Sequence, residues 1–133
     1  MELQVGVKIL LRDKEGKYLM VRRSSDKYPE VGSVWDIPGG RINPGSTLLE
    51  NLKREVSEEV GLDLPGEPKL IAAQDILRVS GRHVVRLTYL GEAEGVVKLN
   101  EENTEFQWFK PEDLKKLQGV DIYLRELLEK GNL

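Results

Sequence analysis

Leu3, Val5, Val7, Ile9 and Leu11 place an apolar side chain at every second position. That period of two predicts a strand over 3–11 with one buried face. Asp13-Lys14-Glu15-Gly16 reads as a hairpin turn, and 18–21 as the return strand, ending on Arg22 and Arg23. The polar stretch 24–33, with Pro29 and Gly32, reads as a loop. A short strand over 34–37 is stopped by Pro38-Gly39-Gly40, and 41–46 reads as a second loop. The period then changes. Leu48, Leu49, Leu52, Val56 and Val60 recur at helical spacing, which predicts a helix over 47–60. Thr47 and Glu50 fit a capping box, and Gly61 stands where a left-handed C-terminal cap belongs. Two further strands are expected over 70–79 and 84–92, joined by the turn Ser80-Gly81-Arg82. A third is expected over 105–109, after the acidic loop 100–104. Pro111 opens a short helix over 111–117. A last helix over 121–130 carries Ile122, Leu124, Leu127 and Leu128 as its apolar side. This order predicts one domain, 1–133, in which helices pack on a mixed sheet.

Composition narrows the chemistry. There is no cysteine, which excludes disulfides, a thiol nucleophile and a zinc-thiolate site. The single histidine, His83, lies in a charged, turn-like stretch and reads as a surface residue; no G-x-S-x-G elbow accompanies it. A metal here would be held by oxygens, which favours magnesium, manganese or calcium. The net charge of −3 argues against general nucleic-acid binding, but not against a phosphate-bearing substrate. No apolar run has the length of a membrane span. The first residues show no secretory pattern, so a cytoplasmic location is expected.

The helix over 47–60 holds the informative cluster. At 100° per residue, Glu55, Glu58 and Glu59 form one carboxylate patch beside the apolar stripe. Like charges at i,i+4 cost about 0.2–0.5 kcal/mol, and anions near a helix C-terminus oppose its dipole. One account is a solvated face on which Arg54 pairs with Glu58 and Lys53 lies near. The other is a metal site, since a glycine-rich turn leading into clustered carboxylates suits a metal-bound diphosphate. No Gly-Lys-Ser/Thr follows, so it is not a P-loop.

Residues 40–62 read GRINPGSTLLENLKREVSEEVGL. This resembles the box of the Nudix hydrolases (MutT-like), G-x5-E-x7-R-E-U-x-E-E-x-G-U, where U is aliphatic. Gly40, Arg54, Glu55, Val56, Glu58, Glu59, Gly61 and Leu62 match, and only the first glutamate departs, being Ser46. The run from Trp35 to Gly39 and the run from Glu105 to Phe109, followed by Glu-Asp-Leu, are similar to the family's flanking segments. The resemblance implies an α+β fold, an α/β/α sandwich with a mixed curved sheet between helices. It implies hydrolysis of a nucleoside diphosphate linked to another moiety, with Mg2+ or Mn2+ as cofactor. Glu55, Glu58 and Glu59 would be metal ligands, with the Gly39 carbonyl as a further one. Arg54 would orient the carboxylates, with Glu50 as its substitute partner in place of the missing glutamate. The general base would come from the box or from the acidic loop, where Glu101, Glu102 and Glu105 are candidates and Glu102 or Glu105 is preferred. Arg23, Trp35 and Gly40 would contact substrate, with Phe106 and Trp108 available to stack. Trp35 and Trp108 are also readable as core aromatics. Arg22, Arg78 and Arg82 would meet phosphates or solvate strand ends.

Two markers of particular substrates are missing. Ser80 stands where a dinucleoside-polyphosphate enzyme would carry tyrosine, and Leu77 where an ADP-ribose enzyme would carry proline. A small nucleotide, a nucleoside triphosphate or an oxidised nucleotide, is the expected substrate, for a monomer or homodimer. The alternatives are a non-catalytic nucleotide- or nucleotide-sugar-binding module and a plain acidic interaction domain.

Overall fold

The computed structural model describes residues 1–24 and 34–131. Most of the expected loop over 24–33 therefore lies outside the described residues. The alternating N-terminal segment forms β1 (Glu2–Arg12) and turns back into β2 (Tyr18–Arg23). β3 (Trp35–Asp36) and β4 (Gly39–Arg41) precede helix α1 (Leu48–Val60). β5 (Lys69–Ile76), β6 (Arg82–Glu92) and β7 (Asn103–Phe109) follow, then α2 (Pro111–Lys116) and α3 (Ile122–Glu129).

Among the described residues the strands make one mixed sheet in the order β3-β2-β1-β6-β5, with β4 on β1 and β7 on β2. β1 runs parallel to β6 along its whole length. Its other edge is divided. β2 meets it only at the hairpin end, Arg12 opposite Tyr18, and β4 takes the rest, with Gly39 opposite Lys8. The sheet opens where β1 and β2 part, and the carboxylate helix reaches it there.

Two hydrophobic layers flank the sheet. Val7, Ile9 and Leu11 pack with Leu52, Val56 and Val60 of α1. Leu10, Met20 and Phe109 pack with Leu114, Leu124 and Leu128 of α2 and α3. The architecture is the expected helix-sheet-helix sandwich. The single buried face expected of the first strand is corrected: Lys8 and Leu10 are buried as well, because α3 covers the second face.

α1 follows its sequence signals. Thr47 Oγ1 accepts the Glu50 amide at 3.1 Å, and Glu50 Oε1 accepts the Thr47 amide at 3.0 Å. Gly61 adopts φ 65° and closes the helix on Ser57. Leu48, counted in the apolar stripe, is exposed in the first turn. Ile122 is also exposed. Two residues from Leu124 is about 200° of helix rotation, which puts it opposite the stripe formed by Leu124, Leu127 and Leu128.

Candidate active site

β4 and α1 build one wall of the site. The carboxylate of Glu59 is drawn inward. Its Oε2 accepts the Gly39 amide at 2.7 Å, and its Oε1 accepts Asn103 Nδ2 at 3.4 Å. Burial pushes its pKa up to about 7. Lys8 and the Gly39 amide oppose that rise, and the neighbouring charge of Glu55 adds to it. Glu55 lies against Gly40, where a Cβ would stand 2.7 Å from the carboxylate. Glu58 turns outward to Arg54, with 58% of its side chain exposed. The three carboxylates thus share one edge of α1 but end at three depths, and among the described residues no three such groups converge on one point.

Arg54 is the hub of that edge. Its Nη1 donates to Glu55 at 2.9 Å and to Glu58 at 3.3 Å, the expected i,i+4 pair included. Its Nη2 donates to Asn51 Oδ1 at 3.1 Å and to the Arg41 carbonyl at 3.4 Å. The expected Glu50 substitution is corrected: Glu50 is committed to the capping box, whose hydrogen bonds lower its pKa. Asn51 fills the role instead. It is buried, its Oδ1 accepts the Asn43 amide, and its Nδ2 donates to the carbonyls of Ser46 and Thr47. One side chain thereby holds both the loop before α1 and the arginine, which offsets the serine at 46.

This arrangement predicts a split between neighbours. Asn51→Leu removes the loop anchor with its hydrogen bonds to Asn43, Ser46 and Thr47, at about 0.5–1.5 kcal/mol net for each bond lost. It is expected to lower the melting temperature and turnover together. Glu50→Ala is expected to leave turnover near the parental value. Activity loss in Glu50→Ala with none in Asn51→Leu would reverse the assignment.

In front of this wall lies a groove of about 820 Å³. Lys8, Arg23, Arg41, Arg78, Arg82 and Arg86 line it, against Asp36, Glu55, Glu102 and Asp121. In a chain of net charge −3, the groove gathers cations. Ile76, Val79, Ile122 and Tyr123 give it an apolar far side. Its floor is ionic. Asp36 is buried and meets Arg86 Nη2 at 3.0 Å, Lys8 Nζ at 3.3 Å and Arg23 Nη2 at 3.4 Å. Burial alone would raise the pKa of Asp36; Arg86, Lys8 and Arg23 more than reverse it and hold the group far below the usual carboxylate range. Burial, with Arg23 beside it, lowers that of Lys8.

The sequence candidates separate on this frame. Arg23, Gly39, Gly40, Glu55 and Glu102 line the groove. Glu105 does not; its carboxylate pairs with Arg22 at 3.0 Å across β2 and β7. Trp35 is corrected from substrate contact to core: it is 8% exposed and stands edge-on to Phe109 at 5.7 Å. Trp108 packs against the α1 layer, and Phe106 is exposed. Of the arginines, Arg78 and Arg82 line the groove. His83 pairs with Asp75 at 2.7 Å on the neighbouring strand. Sequence reasoning did not single out Lys8, Asn51, Arg86, Asn103 or Asp121. Only Lys8 carried a signal, as a charge inside an apolar strand.

The NUDIX domain model matches residues 2–130. The chain belongs to the Nudix family. It is 34% identical over 114 residues to the nucleoside triphosphatase NudI of Escherichia coli (strain K12), covering 78% of this chain and 80% of that protein. The MutT protein from Methanosarcina mazei Go1 superposes with a TM-score of 0.84 at 28% identity, over 96% of this chain and 91% of its own. A MutT NUDIX hydrolase from Burkholderia pseudomallei gives 0.83 at 26% identity, over 97% and 98%. With these relatives the chain is a MutT-like Nudix pyrophosphohydrolase. Among the described residues no helix is long and apolar enough to cross a membrane.

Nudix hydrolases generally use a divalent metal. The wall of β4 and α1 fits one in its chemistry. Every donor is an oxygen, as hard cations prefer. Gly40 leaves free the space in front of Glu55 that a Cβ would fill. Glu55 and Glu59 are near enough for the charge of one to raise the pKa of the other.

Proposed function

We propose that this single-domain protein hydrolyses a small nucleotide, a nucleoside triphosphate or its oxidised form, with Mg2+ as the cofactor and Mn2+ as a substitute. The observation that carries the reading is one groove that brings Glu55 of the carboxylate helix together with clustered cations and the apolar residues Ile76, Val79, Ile122 and Tyr123. A nucleoside triphosphate needs those three environments: metal ligands, counter-charges for phosphate, and a surface for the base. NudI, named a nucleoside triphosphatase, supports the substrate class.

Glu55, Glu58, Glu59 and the Gly39 carbonyl would hold the cation. When bound, it screens the phosphates and lowers the pKa of a bound water. Arg54 fixes the Glu55 and Glu58 carboxylates by charge-assisted hydrogen bonds. Arg23 reaches the groove from β2 while its Nη2 is held by Asp36, so it meets a phosphate with little reorganisation. Gly40 lets the backbone approach the substrate closely. Glu102 is the favoured general base, because it lines the groove; Glu105 is tied to Arg22 outside it. The apolar wall receives the nucleoside. The enzyme works in the cytoplasm, as a monomer or homodimer.

The test is turnover of nucleoside triphosphates, oxidised nucleotides, nucleotide sugars and dinucleotides with magnesium, manganese or chelator. Hydrolysis of a triphosphate that stops on chelation and returns with magnesium is the expected result. Binding without turnover in either metal would overturn it and leave a binding module.

A further inference from the structure

We propose that Arg86 and Asp36 are positioning residues, the middle of a buried ionic strap that holds the first turn of α3 at a set distance from the carboxylate wall. The proposal rests on the reading of the groove as a nucleotide site. Its links run through four elements. Asp121, the N-cap of α3, meets Arg86 Nη1 of β6 at 3.2 Å. Arg86 Nη2 meets Asp36 Oδ1 of β3 at 3.0 Å. Asp36 Oδ2 meets Lys8 Nζ of β1 at 3.3 Å. Side-chain exposure is 10% or less at each member.

Burial gives the strap its effect. A surface pair exchanges partners with water, whereas a buried one is confined to the partners the fold supplies. The guanidinium of Arg86 spans two carboxylates as a planar fork, a geometry that lysine does not reproduce. Asp121 links the strap to the helix, because its Oδ2 also accepts the amides of Tyr123 and Leu124. Gln74 adds a second tether, donating to the Tyr123 carbonyl at 2.9 Å.

The turn so fixed carries Ile122 and Tyr123, which face the groove. The body of α3 is docked independently through Leu124, Leu127 and Leu128. Cutting the strap therefore frees the nucleoside wall without undocking the helix. The far end of the strap is Lys8, opposite Gly39 in the β1–β4 pairing, and Gly39 holds Glu59. The strap sets the span between the wall that binds the nucleoside and the wall that binds the phosphates.

The test combines steady-state kinetics on the triphosphate that the parent turns over fastest with amide hydrogen exchange. Arg86→Met is expected to raise KM about tenfold or more, with a smaller fall in kcat, as a displaced binding wall would. Arg86→Lys keeps a charge without the fork and should fall between parent and Arg86→Met. Asp121→Asn keeps an oxygen to cap α3 but loses the ion pair, and it too should raise KM. Exchange at the Tyr123 and Leu124 amides should quicken in all three variants, with Val56 unaffected. A smaller folded fraction lowers the maximal rate but leaves KM alone, so poor folding does not imitate the result. KM within about twofold of the parent's in all three, or unaltered exchange at those two amides, overturns the strap. If the parent hydrolyses no nucleotide, the functional reading fails by itself, and exchange alone decides the strap.

Discussion

Glu59→Gln is expected to remove turnover and, in metal-free buffer above neutral pH, to yield a protein more stable than its parent. Both effects come from one buried carboxylate. Glu59 is 5% exposed, and burial pushes its pKa up to about 7 from 4.5. The folded state therefore holds the proton more tightly than the unfolded chain does. Below pH 4.5 both states are protonated and the group costs nothing. As pH rises from 4.5 towards 7, the unfolded chain ionises first, so stability falls; past about 7 the penalty is complete. A tenfold difference in proton affinity between the two states is worth about 1.4 kcal/mol, so the parent should lose a few kcal/mol between about pH 4 and pH 8. Glutamine does not ionise, and its Oε1 can still accept the Gly39 amide, so the variant should lack that slope. Catalysis moves the other way. Without the Glu59 charge the site loses one of the carboxylates proposed to hold the cation, and kcat should fall by about 10²-fold or more. Denaturant unfolding in chelator at several pH values, beside turnover in magnesium, checks both halves. A variant with parental kcat would remove Glu59 from the chemistry, and one with the parental pH slope would place the titrating group elsewhere.

The parts of the site that were legible in the sequence are those whose determinants are local. The capping box, the stripe of Leu52, Val56 and Val60, and the αL glycine at 61 all lie within one helix, and the structure shows each of them. The Arg54–Glu58 pair is likewise an i,i+4 matter. β4 was not legible, because Pro38-Gly39-Gly40 has the composition of a turn, and its strand character comes from pairing with Gly6 to Lys8, far along the chain. Lys8 and Arg86 were passed over for a related reason. A charge on a strand is ordinarily taken for the solvent face, and only the parallel register of β1 on β6, with α3 laid across it, buries them. Asn51 carries no local signal in the helix; its partners Asn43 and Ser46 come within reach only after the loop folds back. Trp35 was readable two ways, as a substrate contact beside the box or as a core aromatic; the pleat turns its ring into the second core, away from Asp36 in the groove. Side chains whose role depends on which strands are neighbours were the ones the sequence hid.

Gly39→Ala is expected to be the most damaging glycine-to-alanine change among the described residues, and it tests how β4 couples fold to site. Gly39 has φ 143°, a backbone conformation that L residues rarely adopt. An added Cβ would lie 2.0 Å from the Val7 carbonyl oxygen and 2.8 Å from Lys8 Cα. Both are backbone atoms of the central strand, so no side chain can swing aside to relieve the clash. Strain of this kind costs about 1–3 kcal/mol, and overpacking adds a similar amount. The sum is a large part of the roughly 5–15 kcal/mol that holds a domain together. At about 3–5 °C per kcal/mol for a chain of this size, the melting temperature should drop by about 10 °C or more. The alternative to unfolding is for β4 to lift from β1, which takes the Gly39 amide away from Glu59 and removes the hydrogen bond that aims the carboxylate. Gly66→Ala, at a position where a Cβ meets nothing and φ is ordinary, is the matched control and should melt like the parent. Any folded Gly39→Ala should then show a Glu59 pKa raised further still, because the amide that opposes the rise has gone. Parental stability in Gly39→Ala would mean that β4 does not press on β1 as described, and the positioning of Glu59 through it would fail with that pairing.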